Sequence, residues 1–282
     1  MMMKKLLSVI ALTVACVTAQ AAGGEFPLEK APNRLTNQAA LQNGAKMFVN
    51  YCLNCHAATS MRYNKLRDIG LTNTQIKDNL LFTGEKVGDL MKVAMTSADA
   101  KAWFGAPPPD LSVIARAKSI NAGPAGGDYI YTYLRTFYRD ATKPTGWNNL
   151  AFPNPAMPHV LWERQGLREY TSVVVHEVEK NGKKSWERVT SVYGPQGYWT
   201  ATTEPIVDYT GHATSGHGFK ALDPARAMAY DSEIADLAAF MTWMSEPAQL
   251  FRKQIGVWVL MFLGIFFIVA WRLNASYWKH VK

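Results

Sequence analysis

The stretch Tyr51-Cys52-Leu53-Asn54-Cys55-His56 decides how the rest of the chain is read. Two thiols three positions apart, followed directly by a histidine, are the sequence mark of covalent c-type haem attachment, because each thiol can add to a vinyl group on one porphyrin edge. His56 then falls under the iron as proximal ligand, so Cys52, Cys55 and His56 are candidate cofactor-binding residues and His56 is also a candidate metal ligand. A thioredoxin-like redox pair and half of a structural zinc site share the Cys-x-x-Cys core. Zinc would want a second Cys or His pair, and the remaining cysteine, Cys16, lies in a segment read below as removed. The redox-pair reading lacks a βαβ pattern and leaves His56 without a role.

Upstream, Asn33 to Asn37 supply turn and capping residues, and Gln38 to Tyr51 follow with helical periodicity: Leu41, Gly44, Met47, Phe48 and Tyr51 share one face. A glycine inside a helix costs up to ~1 kcal/mol relative to alanine, so Gly44 implies close approach of a second helix. The Gly44/Phe48/Cys52 spacing resembles the N-terminal helix of class I c-type cytochromes, which crosses a C-terminal helix. The candidate for the crossing partner is capped by Asp231-Ser232, runs to about Met244 and presents Ile234, Leu237, Phe240, Met241 and Met244 on its apolar face.

Downstream, Met61 to Leu71, Thr74 to Leu81 and Gly84 to Met95 are expected as short helices, with Thr72-Asn73-Thr74 as turn and cap. Pro107-Pro108-Pro109 must be a stiff extended segment, since prolines fit neither helix interior nor central strand. Beside a haem such a segment can wall the porphyrin edge, which makes Pro108 a cofactor-binding candidate. Asp128 to Tyr138 reads as an aromatic-rich helix. Residues 142 to 222 read as loop-rich, with one hairpin formed by Tyr170 to Glu179 and Ser185 to Val192 around an Asn181-Gly182 turn. His159, His176, His212 and His217 lie there; each could be a ligand, but scattered loop histidines are expected at the surface.

Both ends point to a membrane. Lys4-Lys5, an apolar run from Leu6 to Val17 and Ala19-Gln20-Ala21 read as a secretory signal over residues 1–21. Ile255 to Trp271 are seventeen residues without a charge, about 26 Å of helix at ~1.5 Å per residue, which with the flanking aromatics makes a membrane span. The expected division is a periplasmic haem domain at 22–246, a transmembrane helix at 247–273 and a cytoplasmic tail at 274–282, as suits a bacterial inner membrane. The net charge of +8 sits largely at these ends: without Lys4, Lys5, Arg252, Lys253, Arg272, Lys279 and Lys282, 23 of 30 basic residues face 22 acidic ones. A nearly neutral body argues against a nucleic-acid partner.

Taken in order, Cys52-Leu53-Asn54-Cys55-His56, Pro107 to Ser112, Arg116-Ala117-Lys118, Asp128-Tyr129 and Asn154-Pro155-Ala156-Met157-Pro158 resemble the cytochrome c1 family. The resemblance covers most of the mature chain, including the apolar end. It implies one covalently bound haem c and a methionine as sixth ligand at the place of Met228, making Met228 both a cofactor-binding and a metal-ligand candidate. It also implies a propionate partner at Arg116 or Lys118, and Tyr129 reaching the haem. Family members often carry Arg where this chain has Lys118, so both basic residues stand. From the residues alone the axial sulfur is open among twelve methionines, with Met157, clamped between prolines, the nearest competitor.

The fold class expected is mostly α: a class I cytochrome c-like haem domain with loop-rich insertions and a small β hairpin, plus one C-terminal transmembrane helix. His/Met ligation suits electron transfer rather than oxygen chemistry. By the resemblance the chain would take electrons from a Rieske iron–sulfur protein, sit beside cytochrome b in a dimeric cytochrome bc1 complex and reduce a cytochrome c. It would be no enzyme on its own. The alternatives are an anchored monohaem cytochrome of another oxidase or reductase, and a haem peroxidase.

Overall fold

The computed structural model describes residues 26 to 280, apart from 122, 124, 181 and 182. The expected leader at 1–21 lies outside the described residues. Helix α1 (Gln38–Met47) starts at Asn37, whose side chain accepts from the Ala40 amide at 3.1 Å. It continues into a wider π turn, Phe48–Cys52, closed by Leu53 N–H donating to the Phe48 carbonyl at 3.0 Å. Such turns insert one residue into the helical ladder and re-aim the chain beyond them; here they deliver the two cysteines.

The next segment departs from expectation. Met61 to Leu71 is not α-helical: β1 (Ala58–Arg62) leads into a 3₁₀ stretch, Tyr63–Ile69. Helix α2 (Asn73–Asn79) does form, and Thr72 and Gln75 cap it reciprocally. Gly84 to Met95 is turns plus β2 (Leu90–Met91), which pairs with β1. The reason is local competition: the Asp89 carboxylate accepts from the Glu85 and Lys86 amides, each at 2.9 Å, and holds a turn where a helix would need those donors. Helix α3 (Ser97–Phe104), capped by Thr96, was not expected.

After the prolines come α4 (Ile114–Ala117) and α5 (Gly126–Arg135). The expected helix end at Tyr138 is instead β3 (Phe137–Arg139), paired with β4 (Trp147–Asn149). A single turn, α6 (Trp162–Gln165), precedes the largest correction. Residues 168–221 are not one hairpin among loops but a four-stranded antiparallel sheet: β5 (Arg168–Lys180), β6 (Lys183–Tyr193), β7 (Trp199–Ile206) and β8 (Thr214–Ala221), in the order β7-β6-β5-β8. The expected hairpin is present, with Val178 opposite Ser185 and Glu179 opposite Lys184; its expected turn, Asn181-Gly182, lies outside the described residues. The two added strands are edges, where Pro205 of β7 and the glycines of β8 are tolerated. Those same residues read as loop in the sequence.

Helix α7 (Pro224–Ser245) begins seven residues before Asp231, with Asp223 as N-cap accepting from Arg226 N–H at 3.1 Å and Pro224 in the first turn. Its buried side crosses α1. Gly44 lies directly on the Asp236 backbone and Phe240, and the Phe48 and Phe240 rings pack at 5.7 Å. Phe48, Leu53, Tyr63, Leu66, Ile234, Leu237 and Phe240 are among the core residues around this crossing. Finally α8 (Gln249–Tyr277) is a 29-residue apolar helix with no buried residue, long enough to cross a membrane; it runs four residues past the expected end at 273.

Candidate haem site

The π turn at the end of α1 puts Cys52 and Cys55 on a partly exposed rim, with Cys55 and His56 N–H both donating to the Cys52 carbonyl at 3.1 and 2.8 Å. Burial, and secondarily the neighbouring Cys55, push the Cys52 thiol up to about 12. A dithiol redox centre works through a thiol with a lowered pKa, opposite in direction to the shift at Cys52. As thioether positions the two sulfurs need no such acidity. Among the described residues, no group of three His, Cys, Asp or Glu side chains could hold a metal ion.

His56 is oriented by the proline segment. Its Nδ1 lies 2.8 Å from the Pro109 carbonyl oxygen, which selects the tautomer with the proton on Nδ1 and leaves the Nε2 lone pair free. Burial lowers the His56 pKa, opposed by Pro109 and by nearby Asp110, and so favours the neutral, ligating form. The segment itself is stitched to the residues after His56. Asp110 accepts from Thr59 N–H and Oγ1–H and from Ser112 N–H, each at 2.8 Å; Leu111 N–H donates to Ala57 O at 2.8 Å; Ser60 N–H donates to Ser112 Oγ at 3.0 Å. Burial alone would raise the Asp110 pKa, but the bonds from Ser112 and Thr59 outweigh it and hold the carboxyl below its ordinary value. Pro108, half-buried, sits one residue before Pro109 in this wall.

A second group forms on α5. Lys118 Nζ lies 4.6 Å from the centre of the Tyr129 ring, Tyr129 stacks on Tyr133 at 5.9 Å, and the Tyr133 hydroxyl donates to Met157 Sδ at 3.6 Å. Arg116 does not join it: its guanidinium is bound to Glu246 at 2.7 Å. Met228 stands not in a loop but on the second turn of α7, and 69% of its surface is exposed, so packing does not hold it. The helix reaches back this far because Asp223-Pro224 supplies an earlier start than Asp231-Ser232, and the alanines between are strong helix formers.

His159 departs furthest from the surface expectation, and His176 is half-buried. His159 is 1% exposed, stacked on Phe137 at 4.7 Å and edge-on to Trp147 at 4.9 Å. Burial, then Arg168, lower its pKa to about 3, so it is a neutral core ring. Sequence reasoning also missed the Asp110 stitch and the Tyr133–Met157 contact. The Asp110-x-Ser112 turn signal and the four-residue Tyr129/Tyr133 spacing were the available clues.

The donor set fits a covalently held haem: two thiols on one rim and, directly after them, an imidazole whose Nδ1 is held by a backbone carbonyl, leaving Nε2 free. Fold and site together define a monohaem c-type cytochrome with a C-terminal membrane helix. A sequence profile described as the Cytochrome C1 family matches residues 29–185 and 220–281, passing over most of β6, β7 and part of β8. Cytochrome c1 of Allochromatium vinosum is 40% identical across 99% of this chain and 100% of its own length. A protein of Nitrosomonas europaea named ammonia monooxygenase gamma subunit is 38% identical across 96% of each chain, and cytochrome c1 of Rhodospirillum rubrum is 26% identical across 87% of this chain and 83% of its own. The chain belongs to the cytochrome c1 family, whose members carry a covalently bound c-type haem on a membrane-anchored, electron-transferring subunit.

Proposed function

We propose that this chain accepts electrons from a Rieske iron–sulfur protein and passes them to a cytochrome c, as the haem subunit of a dimeric respiratory cytochrome bc1 complex with cytochrome b. The haem domain faces the periplasm and α8 spans the inner membrane. The observation that carries the reading is the His56–Pro109 bond beside Cys52 and Cys55. In this reading Cys52 and Cys55 would hold the haem covalently, and His56 Nε2 and the Met228 sulfur would ligate its iron. When bound, the haem supplies a one-electron iron couple. The chain's own residues would hold and tune it: Pro109 orients the imidazole, Pro108 would wall the porphyrin edge, and Tyr129 with Lys118 would border a propionate. Of the two basic candidates Lys118 is favoured, because Arg116 is already bound to Glu246. No general acid or nucleophile is required.

Affinity purification of the detergent-solubilised chain is expected to bring down cytochrome b and a Rieske protein; a preparation lacking both contradicts the assignment. The name of the Nitrosomonas relative supports a second reading, in which this cytochrome serves an ammonia-oxidising assembly. Copurification of monooxygenase subunits in place of cytochrome b would select it. The peroxidase alternative has less support, since His159 is locked in an aromatic core and free of charge.

A further inference from the structure

Helices α7 and α8 are separate rods. Proline disfavours helical backbone at the residue before it, and Glu246, which precedes Pro247, leaves the helix at φ −155° and ψ 77°. Only residues 246–248 therefore join the haem domain to the membrane helix, and the direction of one rod relative to the other is set by contacts at this joint. Several converge on it. Glu246 Oε2 accepts from Arg116 Nη1 at 2.7 Å and Glu246 Oε1 from Arg252 Nη2 at 2.8 Å. Ala115 N–H donates to Ser245 Oγ at 3.2 Å, and Gln249 Nε2 reaches back to the Thr242 and Glu246 carbonyls at 3.3 and 3.2 Å.

Arg116 and Ala115 belong to α4, which directly follows the Pro109–Ser112 wall that holds His56. Arg252 belongs to the first turn of α8. One carboxylate thus links the wall of the haem site to the membrane helix. We propose that Glu246 is a positioning residue: by clasping Arg116 and Arg252 together it fixes the tilt of the haem domain on its membrane helix. This rests on reading α8 as the membrane span.

Exposed ion pairs contribute little to folding, and Arg116 and Arg252 are 57% and 63% exposed. Fixing a tilt across a three-residue joint needs less than holding a fold. Glu246 is only 22% exposed and is shared by two guanidiniums, and a membrane surface lowers the local dielectric and strengthens both pairs.

The test uses the full-length, haem-loaded chain in oriented lipid multilayers, with the electron paramagnetic resonance of the haem recorded against the angle of the membrane to the field. The wild type is expected to show a strong angular dependence. Glu246→Ala is expected to lose it while the optical spectrum and midpoint potential stay unchanged, and Glu246→Gln, which keeps the shape but not the charge, to lose it as well. Retention of the wild-type dependence in both variants, or its absence in the wild type, overturns the clasp. Absence of covalent haem from the wild-type chain would count against the haem assignment instead.

Discussion

Gly44 and Phe240 meet where α1 crosses α7: a Cβ on residue 44 would stand 2.6 Å from Phe240 Cβ and closer still to the Asp236 carbonyl. The crossing places the π turn, and with it Cys52 and Cys55, at one end of the core. Around it Arg34 and Asn43 bind the two oxygens of Asp236 at 2.5 and 2.8 Å. In an open helix Gly→Ala would gain up to ~1 kcal/mol. Here the obstructing atoms are backbone and Cβ, so Gly44→Ala is expected to destabilise by ~1–3 kcal/mol, with Gly44→Val worse. Thermal unfolding of the haem-loaded chain measures it; an unchanged midpoint in Gly44→Ala would show that the helices can separate at no cost.

Asp110 links the proline wall to Thr59 and Ser112. Its folded-state pKa is lowered from 3.8, so the stability it contributes is fully present above that value and is lost as pH falls through the lowered one. Asp110→Asn should be less stable at neutral pH and should show a flatter acid limb below about pH 4. Urea midpoints of both proteins across that range are the measurement, and parallel acid limbs would exclude the role.

His159 gives an acid limb at higher pH. Its folded pKa of about 3 lies below the ordinary 6.5, so the unfolded chain takes up a proton in that window and the folded chain does not. Stability from the neutral ring is complete above about 6.5 and falls, by up to ~1.4 kcal/mol per pH unit, as pH drops toward the folded value. His159→Phe retains stacking on Phe137 and should flatten this slope. Equal slopes between about pH 6 and 4 in the two proteins would mean that His159 is already charged in the fold.

The two methionines are separable by spectroscopy. If Met228 is the sulfur ligand proposed above, Met228→Leu is expected to lose the long-wavelength thioether-to-iron charge-transfer band. Met157→Leu, which removes only the sulfur accepting from Tyr133, should keep the band. The reverse pattern would reassign the axial ligand.

Legibility in the sequence depends on the physical range of each signal. Cys52-x-x-Cys55-His56 is a local signal, and Gly44 betrays a close approach because its helix cost has to be offset. The α1/α7 crossing and the apolar α8 were therefore readable. The β5–β8 sheet was only half readable: β5 and β6 carry dense Val and Thr runs, whereas Pro205 and the Gly216 and Gly218 pair disguise the edge strands. The start of α7 was misplaced because two cap signals, Asp223-Pro224 and Asp231-Ser232, compete, and the alanines between them let the helix run back to the earlier one. Which basic residue borders Tyr129 was not legible at all, since it depends on Glu246, which is 130 residues away from Arg116.

The central claim is that this haem relays electrons from quinol oxidation to a cytochrome c. Membranes containing the chain, mixed rapidly with ubiquinol under anaerobic conditions and then with oxidised soluble cytochrome c, test it through the absorbance of the chain's own haem. The account predicts that the reduced band appears on quinol addition and decays as cytochrome c is reduced. A haem that stays oxidised with quinol, yet is reduced by dithionite, would contradict it.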